Sequence, residues 1–534
     1  MLTTTARSTP EILDRINPTI VHITLIILAA SFVYCLVFSL PLTPFFNYTD
    51  QLFGMSGGQQ ILEGHVLYKD FWDFIFPGTH VFYGAAFAIF GTKYWIASAT
   101  IILIGAVTFW LTLIISKRVI DGPMYLLPAI SYLFFGYRWF GLDGYHRMFS
   151  PIFILITIWI LLNGTKLRNC VLAGIACAMA AFFTQQRGVF ALAAALLFII
   201  LDSKISREEV VSLIGRLSAA CLAFLVTILC LCGYFIYQAG LADFFYWTIV
   251  YPAKYNAYAP MNNPGVYLQD WEKTLALSSV SGKFAILPVF LYTVIVPLAN
   301  LVAAGLFLFK RNAGSTKWRK PLVCLIFGIS LLFSSTGPSP SRLFQIAAPS
   351  LIVLFWLIDY FVRSASVKKM ITYAVIVSLL VLGFVQAIRI QTHWDDNIWK
   401  TPTGDLVILD TPGVKPYNLL SKILSPGDYY YDPIGTNLVF PLQLRNPTRF
   451  FQIWDTEITR PEMVAEAVED LRRNPPKYIV WYDKLSKPAE ERVPGDHLAP
   501  LYEFLITNYE PFGEPYDEDM GTRLWRRKDV HDPL

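Results

Sequence analysis

Four carboxylates follow a strongly apolar run, in residues 47–80, among aromatic residues and glycines: Asp50, Glu63, Asp70 and Asp73. Asp50 could act as a general base that takes a proton from an attacking hydroxyl or amine. It could equally cap a short interfacial helix that begins at residue 51, and spacing alone favours neither interpretation. Glu63 is interpreted as a solvated residue of the same helix.

Asp70 and Asp73 stand three residues apart in YKDFWDF, so they would share one face of a helix. As a pair they could bind a metal ion or a basic group of a substrate. They could also cap the segment FWDFIFPGTH, and this structural interpretation is favoured. We keep both as candidate substrate-binding residues.

Three basic residues are candidates for binding an anionic group. Arg187 lies in TQQRG, where two apolar helices meet, and Arg342 follows GPSPS. The planar guanidinium offers paired donors to phosphate oxygens, although either arginine could instead extend toward lipid headgroups. Lys254 in YPAKYNAYAP lies among aromatic rings that could stack on a sugar or belong to an interfacial aromatic belt.

The segment GLDGYHRMFSP brings together Asp143, His146 and Arg147. Asp143 is the candidate second catalytic acid, and His146 and Arg147 are candidate substrate-binding residues. A hydrogen-bonded turn is the alternative, and it is favoured over a catalytic dyad. The sequence contains no Walker loop and no paired-histidine motif. No metal site is therefore predicted, although use of a divalent metal stays open.

The composition is that of a membrane protein. Of 534 residues, 55% are hydrophobic and 15% charged, with a mean hydropathy of +0.47, whereas soluble chains carry roughly a quarter charged residues. A net charge of +4 gives no indication of nucleic-acid binding. All seven cysteines lie in or beside apolar runs, which argues against a disulfide framework.

Apolar runs long enough to cross the hydrocarbon core predict a polytopic α-helical membrane protein with about eleven spans. Their centres lie near residues 30, 105, 132, 157, 178, 195, 227, 296, 328, 352 and 380. The segment 79–91 is too short to cross and is predicted to be re-entrant or interfacial. The membrane domain is expected to comprise residues 1–389 with their external loops.

Lysines and arginines, Arg216 and Arg319 among them, concentrate in alternate loops. This pattern places the N-terminus in the cytoplasm. An odd number of crossings leaves residues 390–534 outside, as expected for a protein of a bacterial inner membrane. The tail alternates short strands (DLVILD, DYYYDP, KYIVWYD, TRLWRRK) with one amphipathic helix, TRPEMVAEAVEDLRRN, and this alternation predicts a small α/β domain.

The order of these motifs resembles the GT-C membrane glycosyltransferases. An apolar span leads into YTDQ, then come ILEGHVLYKDFWDFIFPG and an IFG turn, later AGIACAMAAFFTQQRGVFAL, and finally TRLWRRK. The similarity is greatest to bacterial members related to protein O-mannosyltransferases and to the lipid A aminoarabinose transferase. It covers essentially the whole chain and is strongest in the first 200 residues.

This resemblance implies transfer of a sugar from a polyprenyl-phosphate carrier, a membrane lipid, to an envelope acceptor at the extracytoplasmic face. The essential acid of the first external loop corresponds to Asp50, and an acid of the second loop to Asp143. Many relatives have Asp-Glu where this chain has Asp50-Gln51, and Thr-Lys-Gly where this chain has TQQRG. Arg187 would then replace the lysine as phosphate partner.

Other functions fit part of the pattern. A flippase or transporter for lipid-linked glycans would be expected to carry charges near the bilayer midplane, which the apolar runs lack. A ligase that takes a whole glycan from a pyrophosphate carrier is distinguished poorly by sequence. A scaffold that binds envelope partners through its tail leaves the loop carboxylates unexplained.

Overall fold

A computed structural model describes residues 18–38, 42–45, 49–137, 143–206, 209–255, 272, 275–276, 286–309, 316–335, 337, 339–392, 398–408, 414–435, 438–453, 459–482, 498–517 and 522–530. Within this part of the chain six helices are long and apolar enough to cross a membrane, and a pair bent by 76° makes a seventh if it counts as one span. The six are Thr19–Val37, Trp95–Val119, Gln185–Ser206, Val210–Ala239, Ile286–Phe309 and Ala365–Val385.

We number the membrane helices in chain order. The helices are α1 (Pro18–Val37), α2 (Thr49–Leu62), α3 (Gly78–Phe90), α4 (Trp95–Val119), α5 (Leu127–Ser131), α6 (His146–Leu161), α7 (Leu167–Phe183), α8 (Gln185–Ser206), α9 (Val210–Ala239), α10 (Leu241–Phe245), α11 (Tyr251–Lys254), α12 (Ile286–Phe290), α13 (Val296–Phe309), α14 (Thr316–Phe333), α15 (Pro340–Ile346), α16 (Ala348–Phe361) and α17 (Ala365–Thr392). π-Helical turns continue α5, α10 and α12 at Tyr132–Tyr137, Tyr246–Val250 and Leu291–Ile295.

All eleven predicted span centres fall inside helices or their π-helical continuations. Length and composition nevertheless support only six or seven crossings, because several helices are shorter than a bilayer requires. Helices α6 and α7 have 16 and 17 residues and pack in the interior of the bundle. The predicted short helix near residues 79–91 is present as α3, with 13 residues.

The tail folds into two small sheets with helices against them. The strands are β1 (Thr43–Phe45), β2 (Ile398–Thr401), β3 (Gly404–Ile408), β4 (Tyr430–Tyr431), β5 (Tyr478–Tyr482), β6 (Tyr509–Asp517) and β7 (Thr522–Arg527), and the helices are α18 (Val414–Ile423), α19 (Pro461–Arg473) and α20 (Ala499–Asn508). One sheet has the order β1-β3-β2, and the other β4-β5-β7-β6. Each predicted strand segment and the predicted amphipathic helix are present; β2, β6, α18 and α20 were not predicted.

The tail is built into the segment that follows α1. Strand β1 pairs in parallel with β3, so that Thr43 faces Leu406. Further along, the side-chain amides of Gln59 and Gln443 bond to each other at 3.1 Å in both directions. The backbone N–H of Trp72 donates to the Arg449 carbonyl at 2.9 Å. The tail therefore packs against α2 and against the loop between α2 and α3.

Helices α2 and α3 approach each other through glycines. A Cβ at Gly57 would lie 2.3 Å from Nδ1 of His80, and one at Gly54 would lie 2.9 Å from Thr79. Any larger residue at these two positions would push the helices apart. This close contact fixes the first turn of α2, which contains Asp50, relative to the rest of the bundle.

Candidate active site

Asp50 and Arg147 form an ion pair between the first turns of α2 and α6. Nη1 of Arg147 donates to Oδ2 of Asp50 at 2.8 Å. The Asp50 side chain is 38% exposed and that of Arg147 28% exposed. Both groups therefore still reach solvent at the edge of the bundle, and a ligand could contact either of them.

Side chains form hydrogen bonds with both backbone groups of Gly144, its N–H and its carbonyl. Oε1 of Gln51 accepts from the Gly144 N–H at 3.1 Å, and the Tyr83 hydroxyl donates to the Gly144 carbonyl at 2.7 Å. A Cβ on Gly144 would lie 2.4 Å from that hydroxyl. Only glycine fits here, and the adjacent Asp143 is fixed as a consequence.

Asp143 has a carboxylate oxygen that the rest of the described chain leaves unused. Its Oδ1 atom is buried and forms no hydrogen bond with any described residue. Burial raises the pKa of Asp143 to about 7, and the nearby negative charge of Asp50 adds to the effect. Arg147 and the backbone N–H of Tyr145 act in the opposite direction. The group therefore titrates near neutral pH.

Asp70 and Asp73 do not lie on a helix, because residues 63–77 form turns between α2 and α3. Asp70 accepts from the Val66 N–H at 2.7 Å and is exposed. Oδ1 of Asp73 accepts from the N–H groups of Phe74 and Ile75. The expectation of a shared helical face is therefore corrected.

The second oxygen of Asp73 links the loop between α2 and α3 to the segment that precedes α6. Oδ2 is bonded to Nε2 of His80 at 2.8 Å and accepts from the Tyr145 hydroxyl at 2.9 Å. Asp73 is only 6% exposed, and its contacts are those of a residue that fixes a turn and a loop. Substrate binding by Asp70 or Asp73 stays a prediction.

Arg187 lies in the first turn of α8 and is 5% exposed. Its Nη1 donates to the Arg147 carbonyl and, at 3.4 Å, to the Ser150 hydroxyl. That carbonyl lacks its usual helical partner, because the residue four positions later is Pro151, which has no N–H. Nη2 of Arg187 donates to Oε1 of Gln345 at 2.8 Å. The guanidinium thus joins α6, α8 and α15.

The structure gathers most, but not all, of the remaining candidates. Arg342 lies in α15, with Nη1 3.4 Å from the Gly337 carbonyl, and is within electrostatic range of Asp50 and Arg147. Nδ1 of His146 bonds to the Thr184 hydroxyl at 3.1 Å. Lys254 is exposed and lies 5.2 Å above the ring of Tyr255. No contact described for Lys254 reaches the other candidates.

The sequence analysis did not identify Gln51, Tyr83 and Tyr145 as parts of the site. Their partners lie far away in the chain, and a single sequence shows no long-range pairing. Two local signals were available, namely Pro151 inside an apolar helix and the glycine directly after Asp143. Among the described residues no group of three or more His, Cys, Asp or Glu side chains is arranged to hold a metal ion.

Comparison with known proteins gives similarity in three dimensions only. No family model and no curated protein matches the chain. The oligosaccharyltransferase AglB from Archaeoglobus fulgidus, in complex with an inhibitory peptide and a dolichol-phosphate, aligns at 10% identity and a TM-score of 0.48 over 97% of this chain and 75% of its own. The arabinofuranosyltransferase AftD from Mycobacteria aligns at 11% identity and a TM-score of 0.49 over 95% and 40%.

Both structural neighbours are glycosyltransferases by name, an oligosaccharyltransferase and an arabinofuranosyltransferase. Identities of 10–11% and TM-scores below 0.5 identify no counterpart for any single residue. The chemistry of this chain therefore has to be argued from its own side chains.

Proposed function

We propose that this protein is a membrane glycosyltransferase that moves a sugar from a polyprenyl-phosphate carrier to an envelope acceptor at the extracytoplasmic face. The observation that carries the proposal is the Asp143 carboxylate, which lies near the Asp50–Arg147 ion pair and has one buried oxygen without a partner among the described residues. Such a group can accept a proton from an incoming acceptor at neutral pH.

The charges around this carboxylate suit a phosphate leaving group. Arg187 is buried and forms no ion pair with any residue in the described part of the chain. Arg147 and Arg342 lie within its electrostatic range. Helices α6 and α8 begin here, and their N-terminal ends also favour negative charge. A lipid phosphate at this end of the bundle would therefore be stabilised by several fixed positive groups.

The proposed reaction is a single displacement at the anomeric carbon. Asp143 takes the proton of the acceptor group, and the acceptor atom forms its bond to that carbon. The bond between the carbon and the phosphate oxygen breaks, and its electron pair leaves with the polyprenyl phosphate. Arg342 and Arg147 stabilise the negative charge on that phosphate. A one-step displacement inverts the anomeric configuration.

In this proposal Asp50 orients Arg147, and Asp143 takes the role of base that the sequence motifs gave to Asp50. The reason is that Asp50 already accepts a hydrogen bond from the Arg147 guanidinium, whereas Oδ1 of Asp143 has no partner among the described residues. Arg187 supplies charge from behind the site and fixes the Arg147 backbone. His146 is held by Thr184 beside the same helix start and would line the sugar pocket.

A transfer assay with defined donors tests the proposal. Purified protein is incubated with polyprenyl monophosphates that carry radiolabelled mannose, glucose or arabinose, and with membranes from cells in which this chain has been deleted. We expect label to enter envelope material from at least one donor, and Asp143→Asn to reduce the rate about 100-fold or more. Absence of transfer from every donor, or full activity of Asp143→Asn, would contradict the proposal.

Matched arms separate the rival functions. Polyprenyl diphosphates with the same sugars test a ligase, because that class should prefer the diphosphate. Protein-containing vesicles that move a fluorescent lipid-linked glycan across the bilayer without forming a new glycosidic bond would indicate a flippase. Asp359→Asn serves as the variant control, because Asp359 pairs with Lys368 at 2.5 Å and has no described contact with the site.

A further inference from the structure

We infer that Gln51 is a positioning residue for Asp143, and that in this chain its neutral amide holds the Gly144 N–H without adding a second negative charge beside Asp143. The inference deepens the proposed function and rests on it, because it concerns the same carboxylate. Gln51 is 1% exposed, although it directly follows the half-exposed Asp50. Neighbouring residues in the first turn of α2 therefore act in different ways, one through its charge and the other through its amide.

The geometry gives Gln51 one well-defined task. Its Oε1 accepts from the Gly144 N–H at 3.1 Å, while Tyr83 donates to the carbonyl of the same residue at 2.7 Å. Gly144 has no room for a Cβ beside that hydroxyl. Both the N–H and the carbonyl of Gly144 are thus held by hydrogen bonds. This fixes the position from which the Asp143 side chain extends. Nε2 of Gln51 has no partner among the described residues.

The charges that face Asp143 leave little tolerance for another carboxylate. From α2 comes Asp50, and from its own segment come Arg147 and the Tyr145 N–H, which oppose Asp50. From α3 comes the neutral Tyr83, which lies within electrostatic range of Asp143. A glutamate at 51 would keep an acceptor for the Gly144 N–H but would add a second negative charge beside Asp143. Gln51 supplies the acceptor without that charge.

The sign of the effect follows from the charge. A nearby carboxylate disfavours the ionised form of Asp143, so Gln51→Glu should raise its pKa above about 7. At pH 7 less of the base would then be ionised. A rise of one pKa unit would reduce the rate about 5-fold at that pH. The activity should return at alkaline pH, because the hydrogen bond to Gly144 is retained.

Infrared spectroscopy measures this titration without substrate. The carbonyl band of protonated Asp143 is followed from pH 5 to pH 10 in the purified full chain, and Asp143→Asn identifies the band. We expect the midpoint to rise by one unit or more in Gln51→Glu. Gln59→Glu is the matched control, because it makes the same change in α2 where the side chain contacts Gln443 instead; its midpoint should equal that of the wild type.

A second variant covers the case in which Gln51→Glu does not fold. Gln51→Leu removes the acceptor without adding charge, so kcat should fall about 10-fold, equivalent to roughly 1.4 kcal/mol, with an unchanged KM for the monophosphate donor. Where Gln51→Glu does fold, its rate should return to that of the wild type at alkaline pH, whereas the Gln51→Leu rate should stay reduced at every pH; a purely structural role would not produce this difference.

Two results would overturn the inference: an unchanged Asp143 midpoint in folded Gln51→Glu, or a kcat for Gln51→Leu equal to that of the wild type. Failure of the proposed function gives a different result. In that case no donor is used by the wild type, whereas the infrared midpoint still responds to Gln51→Glu.

Discussion

The two ends of the helix bundle contain the same kinds of residue in different surroundings. At the end where α6 and α8 begin, Asp50 and Arg147 are about one-third exposed. At the opposite end the Asp202 side chain is 2% exposed and accepts from Arg319 and from the Thr165 hydroxyl, each at 2.5 Å. We call these the open end and the closed end.

Under the proposed function, the difference separates a structural ion pair from one that a substrate can reach. At the closed end Thr165 also accepts from Arg216 at 2.9 Å, so that α8, α9, α14 and the loop between α6 and α7 are tied together. A buried pair of this kind is costly to break. At the open end the Asp50 and Arg147 side chains keep about one-third of their surface exposed, whereas one carboxylate oxygen of Asp143 and one of Asp202 are each buried with no partner among the described residues. Residue type alone therefore does not indicate chemistry, whereas access does.

The largest expected effect comes from making the same substitution at both ends. Asp50→Asn should reduce transfer about 100-fold or more, because Arg147 would lose the carboxylate that orients it toward the donor phosphate, while the thermal unfolding midpoint in detergent should stay nearly unchanged. Asp202→Asn should do the reverse, because Arg319 would be left without its partner, at a cost of up to about 3 kcal/mol. Its kcat per folded molecule should stay near that of the wild type.

Each half of this comparison has a result that would break it. A clear loss of stability in Asp50→Asn with retained activity would make the open end structural. Loss of transfer in well-folded Asp202→Asn would give the closed end a catalytic role. Lys368 and Asp359, an ion pair elsewhere in the bundle, provide the common reference.

The next effect concerns the Arg147 carbonyl. Arg187 donates a hydrogen bond to it in place of residue 151, which is a proline and has no N–H. Arg187→Met should destabilise the protein by about 1–3 kcal/mol, because it leaves this carbonyl and Gln345 unsatisfied. In a Pro151→Ala background the new N–H should satisfy the carbonyl. The cost of Arg187→Met should then be smaller by about 1 kcal/mol in a double-mutant cycle of unfolding free energies. If Arg187→Met destabilised the protein equally in the wild-type and Pro151→Ala backgrounds, the new N–H at residue 151 would not be replacing the Arg187 guanidinium as donor to the Arg147 carbonyl.

A further effect is a dependence of stability on pH that belongs to the open end. The pKa of Asp143 is raised on folding, so its ionisation opposes folding. This penalty is absent below the pKa of the unfolded aspartate and grows as pH rises toward about 7. Asp143→Asn should therefore gain stability relative to the wild type over that interval. Chemical denaturation at a series of pH values measures the difference, and a constant difference would contradict it.

The sequence predicted the parts of the fold that depend on local pattern. Apolar runs located the helices of the bundle, and alternation located β3, β4, β5 and β7 in the tail. These features arise from burial of one face or of a whole segment, which neighbouring residues reveal. The number of crossings is confirmed only in part, because an apolar helix of 16 residues such as α6 is too short to be identified as a crossing by length alone.

The candidate site was predictable in membership more than in arrangement. Asp50, Asp143 and Arg147 stood out as charged residues beside apolar helices, and the structure brings them together. The spacing of Asp70 and Asp73 indicated a helix, but turn hydrogen bonds prevail there. The amide of Gln51 could not be foreseen, because its partner lies 93 positions away and no local signal links the two.

The pairing of β1 with β3 has a consequence for biogenesis. Thr43 cannot pair with Leu406 during translation until Leu406, about 360 residues further along the chain, has been synthesised. At ribosomal speeds of about 5–20 residues per second, the wait lasts roughly 20–70 s. During that interval the early segment has no strand partner, and a nascent chain that stops before residue 404 would never acquire one. Synthesis of β3 thus sets the earliest time at which the segment after α1 can take up its final pairing.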